Sequence, residues 1–126
     1  MLSLDVDGTM EFGDPPGPVT VALVRRLIDA GLIVGCASDR TRSDQEETWG
    51  AHGVALDFHG GKHQLDVVRD RYAAVRYVHV GDTYVDEHYA GLQGFEFVGV
   101  VDDPAAAIDA ITAIVNSLGS GDHTID

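Results

Sequence analysis

Short apolar runs alternate along the chain with stretches of helical period, a pattern that predicts an α/β domain of parallel strands joined by helices. Met1 to Leu4 reads as a first strand running into Asp5, with polar Ser3 inside it. Gly8 to Pro18 is rich in Gly and Pro and reads as a loop or small hairpin. Val19 to Ala30 places Val19, Leu23, Leu27 and Ile28 on one side and Arg25 and Arg26 on the other, a helical stripe that Gly31 closes. Leu32 to Ala37 is apolar throughout, as a strand buried on both faces requires.

The second half repeats the alternation. Ser43 to Ala51 predicts a helix capped by Ser43, with Glu46 three residues on completing a capping box. Val54 to Phe58 reads as a weak strand, and Gly60-Gly61 as a turn before a helix from Lys62 to about Tyr72. Val75 to Val80 is the next strand, closed by Gly81-Asp82, with a helix over Asp86 to Leu92 and a last strand over Phe95 to Val101. Pro104 to Leu118 predicts a helix with Pro in its first turn and Gly119 just past its end. Residues 1–118 then form one domain, and 119–126 read as a frayed tail. A chain of 126 residues suits one domain of the usual ~100–150.

Charge changes this picture. Eight Lys+Arg against twenty-one Asp+Glu leave a formal −13, a surface that repels phosphate backbones and anionic lipid, so nucleic acid and membrane surfaces are not expected partners. At 44% hydrophobic residues the chain can still build a core, so the acidity does not signal disorder. Sixteen of the acids are Asp, and Lys62 is the only Lys. That composition resembles the proteins of salt-accumulating halophiles, where dense carboxylates hold water and cations and molar salt screens their repulsion. The single Cys36, inside the apolar LIVGCA run, excludes an intramolecular disulfide and a multi-Cys zinc site and reads as a buried structural thiol. No apolar stretch reaches the ~18–20 residues of a membrane span, and MLSLDVDG lacks the features of a signal peptide, so a cytoplasmic location is expected.

Four acids fall at two strand ends: Asp5 and Asp7 after the first strand, Asp82 and Asp86 after the fourth. In a parallel α/β sheet the ligand site lies beyond the carboxyl ends of the strands. Carboxylates gathered there repel one another unless a cation joins them, and their oxygens suit a hard ion such as Mg²⁺. Ser38, after the LIVGCA strand, offers a hydroxyl, and Lys62, after Gly-Gly, offers a point charge for phosphate.

DVDGT at 5–9, ASDR at 37–40, the isolated Lys62 and GDTYVD at 81–86 resemble, in order, the four motifs of the haloacid dehalogenase-like (HAD) hydrolase superfamily. The resemblance covers Met1 to about Leu118. It implies a three-layer Rossmann-like (HAD-like) α/β fold, a central parallel sheet flanked by helices, and a Mg²⁺-dependent phosphatase that hydrolyses a small-molecule phosphate monoester through an aspartyl-phosphate. Carried over by position, Asp5 would be the nucleophile and Asp7 the general acid and then base. Ser38 and Lys62 would bind the transferring phosphoryl group. Asp5, Asp82 and the backbone carbonyl of Asp7 would hold Mg²⁺, with Gly8, Thr9 and Asp86 in support. With 31 positions from Asp7 to Ser38 and 24 from Ser38 to Lys62, both filled by predicted core elements, there is no room for a cap domain. The layout is similar to capless sugar-phosphate phosphatases of the 3-deoxy-octulosonate 8-phosphate type, which close their open sites by assembling as homo-oligomers; a dimer or tetramer is the corresponding expectation here.

Asp39 departs from the family pattern, since a carboxylate beside Ser38 would repel phosphate unless turned away. His79 reads as a packed core residue, and His59 and His63 as loop residues beside Lys62. Arg40 and Arg42 are candidates either for substrate anions or for pairing with surface acids. The competing expectation is a non-catalytic HAD-like binding or scaffold module. A phospho-receiver domain would need a mid-chain acceptor, for which only Asp57, on a weak strand, is present.

Overall fold

The computed structural model describes residues 1–119; the part of the predicted tail beyond Gly119 lies outside the described residues. Five strands form one parallel sheet: β1 (Leu2–Leu4), β2 (Val34–Ala37), β3 (His59–Gly60), β4 (Val78–Gly81) and β5 (Glu96–Gly99), in the order β3-β2-β1-β4-β5. Between and after them run α1 (Val21–Asp29), α2 (Arg42–Ala51), a 3-10 turn (Lys62–Gln64) leading into α3 (Leu65–Arg71), α4 (Tyr84–Leu92) and α5 (Pro104–Gly119). This is a Rossmann-like layout. Leu2 of the central strand sits opposite both Val34 and Val78, so β1 is fully enclosed, which explains why it needs only three residues.

The core follows the apolar pattern. Leu2, Leu4, Val34 and Val80 pack in one cluster with Leu23, Val24 and Leu27 of α1, Trp49 of α2 and Ile111 of α5. A smaller cluster joins Leu65 of α3 to Ala90 and Phe95, so α3 and α4 cover the other face. Cys36 is free and fully buried, and burial pushes its thiol up to about 12, which removes thiolate chemistry at ordinary pH. No described helix is long and apolar enough to cross a membrane.

Several boundaries differ from the sequence expectation. The cap of α2 is Thr41, not Ser43: Thr41 is extended (φ −62°, ψ 155°) and its hydroxyl accepts from Asp44 N, while Glu46 pairs with Arg42 one turn away. The third strand is His59–Gly60 rather than Val54–Phe58. The Asp57 carboxylate accepts from Val34 N at 2.9 Å, taking the donor that a regular ladder would use; Asp57 N still bonds Val34 O, and the regular pairs with β2 are Cys36–His59 and Ala37–Gly60. Helix α1 starts at Val21 because Val19 is held in a bridge to Met10 that ties the ends of the Gly- and Pro-rich loop. Helix α4 begins two residues early, capped by Thr83 with Asp86 reaching back, and α5 includes Gly119.

The chain winds outward through β2 and β3 and then crosses back to lay β4 on the other side of β1. A crevice therefore opens beyond the carboxyl ends of β1 and β4, where the strand order reverses.

The reassigned cap is testable. Thr41→Ala should cost about 1 kcal/mol of folding stability and Ser43→Ala less than about 0.5 kcal/mol, read from denaturant midpoints. Equal costs would return the cap to Ser43.

Candidate active site

Three carboxylates meet in that crevice. Asp5 leaves the end of β1, Asp82 follows β4 and Asp86 lies in the first turn of α4; each contributes an oxygen within 4.8 Å of the others. The Asp5 amide donates to Val80 O, which locks the two strand ends together. Gly8 shapes the loop that passes beside them: its φ is +76°, and a Cβ at this position would run into the Asp82 carboxylate.

Lys62 enters this group from the 3-10 turn. It is only 4% exposed, and its Nζ lies 3.5 Å from Asp5 Oδ2, 3.2 Å from Asp86 Oδ2 and 3.5 Å from Asp39 Oδ2. Burial alone would favour the neutral amine, but Asp5 and Asp86 outweigh it and hold the ammonium above its ordinary range.

Asp86 is the fixed point of the cluster. Its Oδ2 accepts from Lys62 Nζ, Thr83 N and Thr83 Oγ1, and its Oδ1 lies 2.7 Å from His79 Nε2. An ionised carboxylate only accepts, so the His79 Nε2–H donates, and His79 Nδ1 then meets Ser3 Oγ at 3.0 Å. Burial would raise the Asp86 carboxyl, yet the His79 bond and charge, Lys62 and Thr83 keep it below the usual range. A Cβ at Gly81 would strike this carboxyl, so the strand end must be Gly for Asp86 to tuck in.

Asp5 stands in the opposite condition. Burial, then the Asp86 charge and the adjoining Asp82, push its carboxyl up to about 8, and Lys62 offsets this only in part. At neutral pH it would keep a proton unless another cation joined the group. The donor set fits a hard divalent ion: Asp5 and Asp82 present oxygens, whereas both Asp86 oxygens are already engaged by protein donors. Asp86 therefore holds Lys62 in place while its oxygens are shared with His79 and Thr83.

The other candidate residues lie around this centre. The Asp7 side chain does not join the three carboxylates: Arg40 grips it through Nη2 at 2.7 Å and Nε at 3.1 Å, and Asp14 N donates to it at 2.9 Å. The Arg40 bond lowers its pKa. Thr9 supports the loop through its backbone, which bonds Val6 O and Val19 N, while its buried hydroxyl has no partner among the described residues. Ser38 is buried, its amide bonded to Gly60 O and its hydroxyl accepting from Arg40 N. The Asp39 side chain is 83% exposed, with one oxygen toward Lys62.

His79 is the packed core residue expected, and what the sequence did not reveal is that it links Ser3 to Asp86. Ser3 and His79 are each a lone polar residue in a buried strand, and the register of β1 on β4 sets them opposite one another. Thr83-x-x-Asp86 likewise carries a readable capping-box pattern. Comparison of the chain with family models, curated proteins and solved structures gives no match in any of the three.

The Asp5 environment has a measurable consequence. Its carboxyl moves from 3.8 to about 8 on folding, so between those values the folded chain keeps a proton that the unfolded chain releases. Without divalent ions, this group's contribution to stability falls as pH rises from about 4 to about 8 and is then flat. Asp86, shifted down, acts only below about 4, where its stabilisation is lost on acidification. Asp5→Asn removes the decline, so at pH 8 in chelator it should be more stable than wild type by a few kcal/mol (about 1.4 per pKa unit as an upper slope). A variant no more stable than wild type there would contradict the raised value.

Proposed function

We propose that the protein is a Mg²⁺-dependent phosphatase that hydrolyses a phosphate monoester through an aspartyl-phosphate on Asp5. The observation that carries this reading is the meeting of Asp5, Asp82 and Lys62 at the reversal point of a parallel sheet, in the positions that the HAD-like motifs imply. Mg²⁺ held by Asp5, Asp82 and the Asp7 backbone carbonyl would supply the positive charge that keeps Asp5 ionised and offsets the phosphoryl charge.

An Asp5 oxygen attacks phosphorus and the ester P–O bond breaks. Asp7 gives its proton to the leaving oxygen, then takes one from the water that cleaves the aspartyl-phosphate. Lys62, positioned by Asp86, stabilises the equatorial oxygens, and the Ser38 hydroxyl donates to one of them. The Arg40 pair holds Asp7 ionised, so Asp7 acts as an acid only after its carboxyl leaves Arg40 and takes up a proton, from solvent or from the substrate phosphate monoanion. The Asp7–Ser38 and Ser38–Lys62 intervals are occupied by the bridged loop, α1, β2, α2 and β3, which supports a capless form and, with it, closure of the site by a second copy of the chain.

The same Asp7–Arg40 pair favours a second reading, a non-catalytic HAD-like binding or scaffold module. Turnover separates the two. Phosphate release from an aryl phosphate should require Mg²⁺ in ~2 M KCl, a salt level at which exposed acids are screened. Asp5→Asn should abolish it, by about 10³-fold or more. No turnover across sugar phosphates, nucleotides and phosphopeptides, with the fold retained, would establish the second reading.

Asp39 gives an independent check. Its carboxylate lies 3.5 Å from the ammonium that a phosphoryl group would use, so it competes with substrate. Asp39→Asn should lower KM several-fold with a smaller change in kcat, and a raised KM would assign Asp39 to substrate binding instead.

A further inference from the structure

Ser38 and Lys62 stand on separate turns. Ser38 follows β2, and Lys62 opens the 3-10 turn that follows β3. The regular pairing of these two strands ends at Ala37–Gly60, and the bond from Ser38 N to Gly60 O, at 3.1 Å, is its last rung. Past that point the backbones part, and a further link between the two turns has to come from side chains.

Gln45 of α2 supplies such a link. It is fully buried, and its Nε2 donates to Arg40 O and to Gly60 O, both at 2.9 Å. Both partners are carbonyl oxygens, which fixes the amide with its nitrogen toward them. Its base is rigid, because Thr41 caps α2 and Gln45 N donates to Thr41 O. On the β2 side, Arg40 N donates to Ser38 Oγ at 2.9 Å, so holding the Arg40 backbone also directs the Ser38 hydroxyl and leaves its hydrogen free to donate. On the β3 side, Gln64 closes the Lys62 turn on itself: its Oε1 accepts from Gly61 N and its own N donates to Gly61 O. That turn moves as a unit, and the place of Lys62 relative to Ser38 follows from how Gly60 is held.

The alternatives to this clamp are weak. Lys62 Nζ also meets Asp39 Oδ2 at 3.5 Å, but the Asp39 side chain is 83% exposed, and such contacts contribute little in water. Gln45 Oε1 is shielded and has no hydrogen-bond partner among the described residues. A Met side chain would fill the same space without that cost, so the two donations are what the amide adds.

We propose that Gln45 is a positioning residue that sets the spacing between Ser38 and Lys62, and with it the width of the phosphoryl-binding site. The proposal rests on the phosphatase reading of the Asp5 centre. Ser38 and Lys62 have to meet oxygens of one phosphorus at the same time. Those oxygens carry most charge in the transition state, so a shift of either turn weakens the transition state more than the bound substrate.

Gln45→Met keeps the side-chain length and loses both donations. Its kcat for an aryl phosphate with Mg²⁺ should fall about tenfold or more, with KM changed less than about threefold. Orthovanadate, which adopts the five-coordinate geometry of the transition state, should inhibit it less tightly by a factor that follows the loss of kcat/KM, and inorganic phosphate by a smaller one. Trp49→Phe, one turn along α2 and also at a fully buried position, is the control for lost packing. It should lower the unfolding midpoint yet leave kcat and the ratio of the two inhibition constants in place, with all rates read well below the midpoints. Gln45→Asn, one methylene shorter and able to reach one carbonyl at most, should fall between wild type and Gln45→Met, and it gives the same readouts if Gln45→Met does not fold. Wild-type kcat and inhibition ratio in a folded Gln45 variant, equal losses in Trp49→Phe, or failure of both Gln45 variants to fold overturns the positioning role and leaves the phosphatase reading standing. Absence of hydrolysis by the wild type overturns both.

Discussion

One buried ammonium makes the centre of this protein possible. Asp5, Asp82 and Asp86 bring oxygens within 4.8 Å of one another at the ends of two adjacent strands. Two carboxylates at that separation repel by about 3–4 kcal/mol at an effective dielectric of about 20. Lys62 lies within 3.5 Å of two of the three and offsets part of this. It does so unequally. Asp86 also has His79 and Thr83 and stays ionised, whereas Asp5 lacks such partners and is driven toward its protonated form. The site is thus polarised into one fixed carboxylate and one that awaits a further positive charge, an arrangement suited to a group that must react and not merely pair.

The fold was legible where the chain is most enclosed. Continuous apolar runs identified β2 and the central part of β4, and the helical stripe identified α1, because burial on two faces or on one stripe leaves a strong mark in residue type. What was not legible depended on single side chains replacing backbone partners. Asp57 takes the Val34 amide just before β3, and Thr41 in place of Ser43 satisfies the start of α2. Neither choice alters the apolar pattern, so periodicity could not reveal it.

The candidate site divides in the same way. Strand-end position alone brought Asp5, Asp82, Asp86 and Lys62 to one place, and the structure sets them together. The direction in which each side chain points was beyond the motif. Asp7 sits two residues from Asp5, but successive residues of an extended chain face opposite ways only while the strand continues, and here the chain turns at once into the loop bridged by Met10 and Val19. Arg40 then captures the Asp7 carboxylate from the turn after β2. The global charge of −13 similarly gave no sign of the cleft where Arg40 and Arg42 stand, each paired with neighbouring acids.

Ser3 and His79 show why polar residues persist in the most enclosed strands. Each is fully buried, and an apolar side chain at either position would be the simpler way to fill the sheet. As a pair they form a chain of contacts, Ser3 to His79 to Asp86 to Lys62, that runs from the interior of β1 to the ammonium beside Asp5. Asp86 sits on a helix turn and Lys62 on a 3-10 turn, both less constrained than a strand. Anchoring Asp86 through His79 transfers the rigidity of the central strands to Lys62, and with it the position of positive charge beside Asp5. Loss of either polar partner would leave the other buried and incompletely bonded, so the two residues are coupled directly and, through His79, to Asp86, and the precision of the site depends on the core beneath it.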